Sequence, residues 1–380
     1  MMGSLVKECL AVSFDALEDP RVDRSKKYPL QEIVFLAIFA ALQGIESWRG
    51  IELLGNERLD FLRRCYLFKE GIPSHQTIGR VFSILKPKSF EAFFMAWSAA
   101  LSGPSAGKQI AIDGKTSRGS YDTASGKQSI HLLNACAVES GIVLGQLEVG
   151  AKTNEITAVP EMIDALDVAG AIISGDALIT QKDIAAKIID AKADYNLALK
   201  GNHKNLNEEV KYQFDTKKIS TASSNYFSET EKSHGRVHER TYETIEVDDK
   251  ILPQFSEWKG LKSIGRVSTI VWKQDQETVE TRYYLLSYKG AEKFAKSARG
   301  HWAVESMHWI LDVTFGEDAS RKRKDHAPRN YSLIRKFALN VIRTFKGKLS
   351  VPLTHIKSAA NPEFLTSMLI GSGFTQLEST

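Results

Sequence analysis

The sequence predicts an α/β protein: a mixed sheet carrying helices, interrupted by an antiparallel β insertion and preceded by a helical domain. Three observations predict this. The first hundred or so residues repeat apolar side chains at helical spacing. From Gln109 to Lys200, short apolar β-branched runs alternate with amphipathic segments. From about residue 202 to 285, polar and apolar side chains alternate between turn residues.

The helical region opens with PLQEIVFLAIFAALQG, which starts at Pro29 and stops at Gly44. ESWRGIELLGNERLDFLRRCY continues the helical spacing. In GIPSHQTIGRVFSIL, Ser74 suits a helix cap. His75, Gln76, Thr77 and Arg80 then share the outer face, and Ile78, Val81, Phe82 and Leu85 the inner one. A helix, a glycine-containing turn and a polar-tipped helix fit a helix-turn-helix. They fit a plain bundle corner as well. LSGPSAGKQ reads as a linker.

QIAID reads as a strand, and HLLNACAVES with GIVLGQLEVG as a hairpin. NEITAVPEMIDAL is a helix with Asn154 as its expected cap. AGAIISGD is a strand ending on Asp176, TQKDIAAKIIDAK a helix with Thr180 as its expected cap, and DYNLALKG another strand. SHGRVHERTYETIEV, SIGRVSTIVWKQD and TVETRYYLLSY form the antiparallel insertion. Helical spacing returns in AEKFAKSARGHWAVESMHWILDVTF, followed by the basic SRKRKDHAPRN and the helix YSLIRKFALNVIRTF. The expected divisions are 1–100, a helical DNA-binding domain; 101–201, the first part of the core; 202–285, the insertion; 286–346, the closing helices with the basic run; and 347–380, a tail of weak pattern.

The chain of 380 residues is 43% hydrophobic with a net charge of +4, enough for more than one core and mildly suited to nucleic acid. Three scattered cysteines, Cys9, Cys65 and Cys136, suggest free thiols in a reducing compartment. The N-terminus lacks a signal-peptide pattern. The apolar stretch from Ile33 to Leu42 is shorter than the about 20 residues needed to span a bilayer. A cytoplasmic protein without membrane contact is expected.

QIAIDGKTSRGS poses the chemical question. A phosphate-binding loop needs glycine five positions before the Gly-Lys pair, where Gln109 stands. A carboxylate at a strand end remains. Asp176 ends a second apolar strand. In a ribonuclease-H-like sheet the first and fourth strands are neighbours, so Asp113 and Asp176 meet at one edge. Two anions there repel unless a cation lies between them, and Mg²⁺ suits such oxygen donors. Glu305 is the candidate third carboxylate. His301, Glu305, His308 and Asp312 form one helical stripe, which suits a solvated face equally well. A zinc site on His301, Glu305 and His308 lacks the His-Glu-x-x-His pattern and leaves both aspartates unexplained.

AIDGKTSRG, SGDALITQKDIA, DYNLALKGNH, SHGRVHERTY and RGHWAVESMHWILDVTFGEDASR together resemble a bacterial insertion-sequence transposase of the DDE class, in the branch of the H-repeat-associated proteins. The likeness covers most of the chain, including DPRVDRSKKYPLQEIVFLAIFAALQG. It implies Asp113, Asp176 and Glu305 as the catalytic, metal-holding triad in a ribonuclease-H-like core. A related branch carries Tyr-x2-Arg-x3-Glu-x6-Lys. Here those positions are Ala298, His301, Glu305 and Asp312, so only the glutamate matches and hairpin chemistry is not implied.

The expected reaction is Mg²⁺-dependent cleavage of element ends and strand transfer into target DNA, with Mn²⁺ as a substitute metal. The partner is double-stranded DNA, and the likeness adds a homodimer on paired ends. The rivals are a nuclease without strand transfer and an inactive DNA-binding descendant. Expected DNA contacts are Lys115 and Arg118 beside Asp113, then Lys200, His203 and Lys204, His234 and Arg236, and Arg321, Lys322, Arg323 and Lys324. His75, Gln76 and Arg80 join them on the N-terminal helix.

Overall fold

The computed structural model describes residues 6–10, 14, 16–121, 126–150, 154–217, 219, 221, 223–233, 236–247, 255–273 and 276–374. Five strands build the first half of its sheet: β1 (Gln109–Ser117), β2 (Ile130–Ala137), β3 (Val143–Val149), β4 (Ile172–Gly175) and β5 (Asp194–Leu199). Four longer ones follow: β6 (Tyr226–Ser233), β7 (Arg236–Glu246), β8 (Ser263–Lys273) and β9 (Gln276–Leu286). All nine belong to one sheet, ordered β3-β2-β1-β4-β5-β9-β8-β7-β6. β1, β2 and β3 pair antiparallel, while β4 and β5 run parallel to β1. This is the expected ribonuclease-H-like mixed core.

The antiparallel region extends this sheet rather than standing apart, because β9 pairs directly with β5. Gly175, Leu197, Leu285, Ile264 and Ile245 lie at one level across it. β7 continues from Ile245 back to Arg236, on the order of 30 Å at strand rise. The long strands therefore overhang the edge where β4 ends. β6 and the helix Lys204–Thr216 were absent from the sequence reading. The β6 segment YFSETEKS is polar, as suits an edge strand, and carries little apolar alternation.

The helical layer is not a separate body. Helix Ala327–Phe345 packs against Leu30–Ala41, His75–Ile84 and Pro87–Ser102. One hydrophobic core joins residues from Ile33 through Ile110 and Ile173 to Phe337. Phe337 is fully buried, its ring touching those of Phe93, Phe94 and Trp97. The linker thus changes the local pattern without dividing the core. Gly145 on β3 permits close helix packing: a Cβ there would lie 2.9 Å from Met162 Sδ and 3.0 Å from Met95 Cε.

Several local expectations need correction. GKTS continues β1 past the expected strand end at Asp113, since Gly114, Lys115, Thr116 and Ser117 pair with Leu133 to Ile130 of β2. Ser74 caps its helix by accepting from the Thr77 N–H. Asn154 makes no side-chain cap. Thr180 instead donates to the carbonyls of Asp176 and Ala198. The connection from Leu62 to His75 exceeds the three- or four-residue turn of a helix-turn-helix, which favours the bundle corner. The tail contains helices Val351–Ala360 and Pro362–Gly371, capped by Ser350 and Asn361. Among the described residues, Cys9, Cys65 and Cys136 form no disulfide. Among the described residues, no helix is long and apolar enough to cross a membrane.

Candidate active site

Ile112 of β1 faces Gly175 of β4 in the last parallel register pair. Asp113 and Asp176 come next on their chains, so the topology sets them side by side at the sheet edge. Burial raises the Asp176 carboxyl above the usual carboxylate range. The N–H groups of Ile179 and Leu178 oppose this, and the charges of Asp113 and Glu155 add to it. Both N–H groups donate to Oδ1. A carboxylate set among other anions in this way forms a natural cation site.

Glu155 escaped the sequence reading because an acidic residue in a first helical turn already satisfies the helix dipole. Its Oε1 lies 2.7 Å from His131 Nε2, while Thr116 Oγ1 lies 2.9 Å from His131 Nδ1. Gly114 lets this pair approach β1: a Cβ there would lie 2.6 Å from His131 Nε2.

Two rungs join β1 to the helix Trp302–Val313. Asp113 and Lys115 are two apart on the strand and share a face. His308 and Asp312 are four apart on the helix and share a stripe. His308 Nδ1 stands 3.5 Å from Asp113 Oδ2, and Lys115 Nζ stands 2.6 Å from Asp312 Oδ1. Lys115 also meets Asp318 at 3.3 Å and Glu317 at 3.4 Å. Its ammonium is buried among carboxylates, which corrects the expectation that it holds phosphate.

The expected single helix breaks at His301, between Ala291–Gly300 and Trp302–Val313. His301 Nδ1 lies 3.2 Å from Ser174 Oγ. Burial lowers its imidazole below the ordinary range, while Asp113, Glu305 and Asp176 all pull it upward. Glu305 is exposed, and with Asp176 it lines a cavity of about 480 Å³. Lys200, Arg282 and Trp302 share that lining. Asp113 is not among the described residues that line it.

Among the described residues, no three His, Cys, Asp or Glu side chains lie close enough together to hold a metal ion. The donors at the edge nevertheless suit a hard divalent cation. They are carboxylate oxygens, Asp113 and Asp176 repel, and Asp176 Oδ2 takes no hydrogen bond among the described residues.

The other expected contacts divide. His203 is turned to the Thr180 carbonyl at 2.6 Å, and Lys204 lies beside it, away from the carboxylate cavity. Arg118 is 84% exposed beside Asp318. Arg236 lies at the far tip of the overhang, away from the carboxylates, and His234 lies outside the described residues. His75, Gln76, Arg80, Arg321, Arg323 and Lys324 line one broad groove. Lys322 borders it, but its ammonium points inward, over the Trp48 and Tyr331 rings, and donates to the Glu46 carbonyl. That corrects its expected phosphate contact.

Residues 104–341 match the transposase DDE domain family, and residues 11–98 match the DDE_Tnp_1-associated family. The protein named "Putative transposase YncI" of Escherichia coli O157:H7 is 39% identical, over 93% of this chain and 92% of its own. "Putative protein YbfL" of Escherichia coli K12 is 38% identical, over 92% and 94%. "H repeat-associated putative transposase YhhI" of the same strain is 37% identical, over 94% and 97%. A cryo-EM structure of a piggyBac transposase synaptic complex with hairpin DNA aligns with 98% of this chain and 78% of its own. The sequence identity is 11% and the TM-score 0.43. The matched domain, the near full-length relatives and the sheet edge bearing Asp113 and Asp176 agree: the chain belongs to the transposase DDE domain family.

Proposed function

We propose that the chain cuts the DNA ends of an insertion element and joins them to target DNA, using Asp113, Asp176 and Glu305 with divalent metal. The observation that carries this is the register that sets Asp113 beside Asp176 where β4 ends, with Glu305 lining the same cavity as Asp176. Mg²⁺ is the expected ion and Mn²⁺ its substitute; when bound, such an ion activates the attacking oxygen and stabilises the leaving one.

The protein's own residues supply position and charge. The Leu178 and Ile179 N–H groups fix one oxygen of Asp176 and leave the other free. The Lys115–Asp312 rung holds the Glu305 helix along β1. Asp312 is occupied by that lysine, which favours Glu305 as the third donor. Lys200 is exposed in the cavity shared by Asp176 and Glu305, where a cation can face a DNA phosphate. A homodimer on paired ends and action in the cytoplasm belong to the same reading.

Product analysis on DNA bearing paired element ends tests it. Wild type should yield cleaved ends and joined products with Mg²⁺, and Glu305→Gln neither. Cleavage without joining would indicate a nuclease. Neither product from folded wild type on its own ends would indicate an inactive DNA-binding descendant.

A further inference from the structure

We infer that the groove between helix His75–Ile84 and the run Arg321–Lys324 holds the phosphate backbone of a DNA duplex. This rests on the DNA-acting reading above and assigns a binding surface separate from the carboxylate cavity, with which it shares no lining residue.

The groove measures about 1360 Å³. Small-molecule pockets occupy about 300–1,000 Å³ and are lined mainly by apolar side chains. This one is larger, and most of the side chains along it are charged or polar. Arg80, Arg321 and Lys324 are exposed along it and make no ion pair among the described residues. Of the two lining acids, Glu148 is engaged by Arg329 at 2.6 Å, leaving Asp325. Such unpaired cations suit a polyanion, and phosphate contacts position DNA without reading its sequence.

A basic run is ordinarily a solvated face. This one is anchored within the fold. Lys322 is 9% exposed, its Nζ 3.8 Å from the Tyr331 ring centroid and 4.8 Å from that of Trp48. The Arg323 guanidinium lies 4.7 Å from the Tyr121 ring centroid, and its Nε donates to the Gly119 carbonyl at 3.3 Å. The His326 N–H donates to the Ser83 carbonyl on the opposite wall. On that wall, Gly79 admits Trp48: a Cβ there would lie 3.2 Å from its Nε1. Lys322 and Arg323 thus anchor the segment, while Arg321 and Lys324 remain exposed. Binding to such a preformed surface loses little ordering entropy.

The test measures binding of a fluorescent duplex to the full chain in EDTA across a salt series. It compares wild type with R80Q/R321Q/K324Q. K211Q/K296Q/K348Q is the charge-matched control on exposed lysines outside the groove. Each lost phosphate contact lowers the log–log salt slope by about 0.9, so the groove variant should lose about 2.7 and bind much more weakly. The control should retain most of its slope. Equal losses in the two variants would overturn the groove while leaving the DNA reading intact. Failure of wild type to bind any duplex would overturn that reading, and the groove with it.

Discussion

Lys115 Nζ lies 2.6 Å from Asp312 Oδ1, tying the strand that carries Asp113 to the helix that carries Glu305. The lysine is 7% exposed and has two further carboxylates, Glu317 and Asp318, within 3.4 Å. Removing it leaves those anions without their shared cation. Lys115→Met should destabilise the chain by about 3 kcal/mol or more. Urea unfolding measures this; an unchanged midpoint would show that the cluster does not depend on the lysine.

The same pair distinguishes the two acids of the Glu305 stripe. Glu305→Gln should reduce metal-dependent cleavage by orders of magnitude with little change in folding, because the side chain is exposed. Asp312→Asn should retain part of the activity and lower stability. Cleavage kinetics beside thermal melting separate them. Full activity in Glu305→Gln with none in Asp312→Asn would reverse the assignment.

Glu317 gives the fold a defined acid sensitivity. Burial works to raise its carboxyl, but Lys336, Arg335 and Lys115 outweigh burial and bring it to about 2, from an ordinary 4.5. Lys336 is brought down to about 8, because its own burial outweighs the pull of Glu317. The carboxylate is therefore the charge that the cluster favours. A depressed folded value stabilises above the unfolded one, so this contribution is complete above about pH 4.5 and fades as pH falls toward 2. It amounts to about 3 kcal/mol. Glu317→Gln should lose most of that at neutral pH and show a flatter stability profile between pH 5 and 2, read by melting temperature.

Phe337 joins the two halves of the sequence in one core. Phe337→Ala should cost about 3–5 kcal/mol, with urea unfolding as the measure. A loss below about 1 kcal/mol would mean that the helical layer and the sheet do not share one packed core.

The aspartate pair was legible because each residue follows a short apolar run, and the parallel register of β1 with β4 then sets the two side by side, although β1 itself continues past Asp113. The role of Lys115 was not. A lysine two residues after a strand-end aspartate looks like a phosphate ligand, and its partners lie about two hundred residues away in sequence. Lys322 misled for a like reason: its aromatic cage combines the nearby Tyr331 with Trp48 from the far helix Trp48–Glu57. The tail helices have ordinary caps at Ser350 and Asn361, but their short apolar faces gain meaning only against helix Ala327–Phe345.

The most direct measurement is nicking of a supercoiled plasmid carrying the element's ends. Wild type and Asp176→Ala would be compared with Mg²⁺, with Mn²⁺ and with EDTA, after both are shown to fold and bind DNA. The account predicts nicking by wild type with either metal, none in EDTA and none by the variant. Nicking that persists in Asp176→Ala would contradict the claim that Asp113 and Asp176 form the centre that cuts DNA.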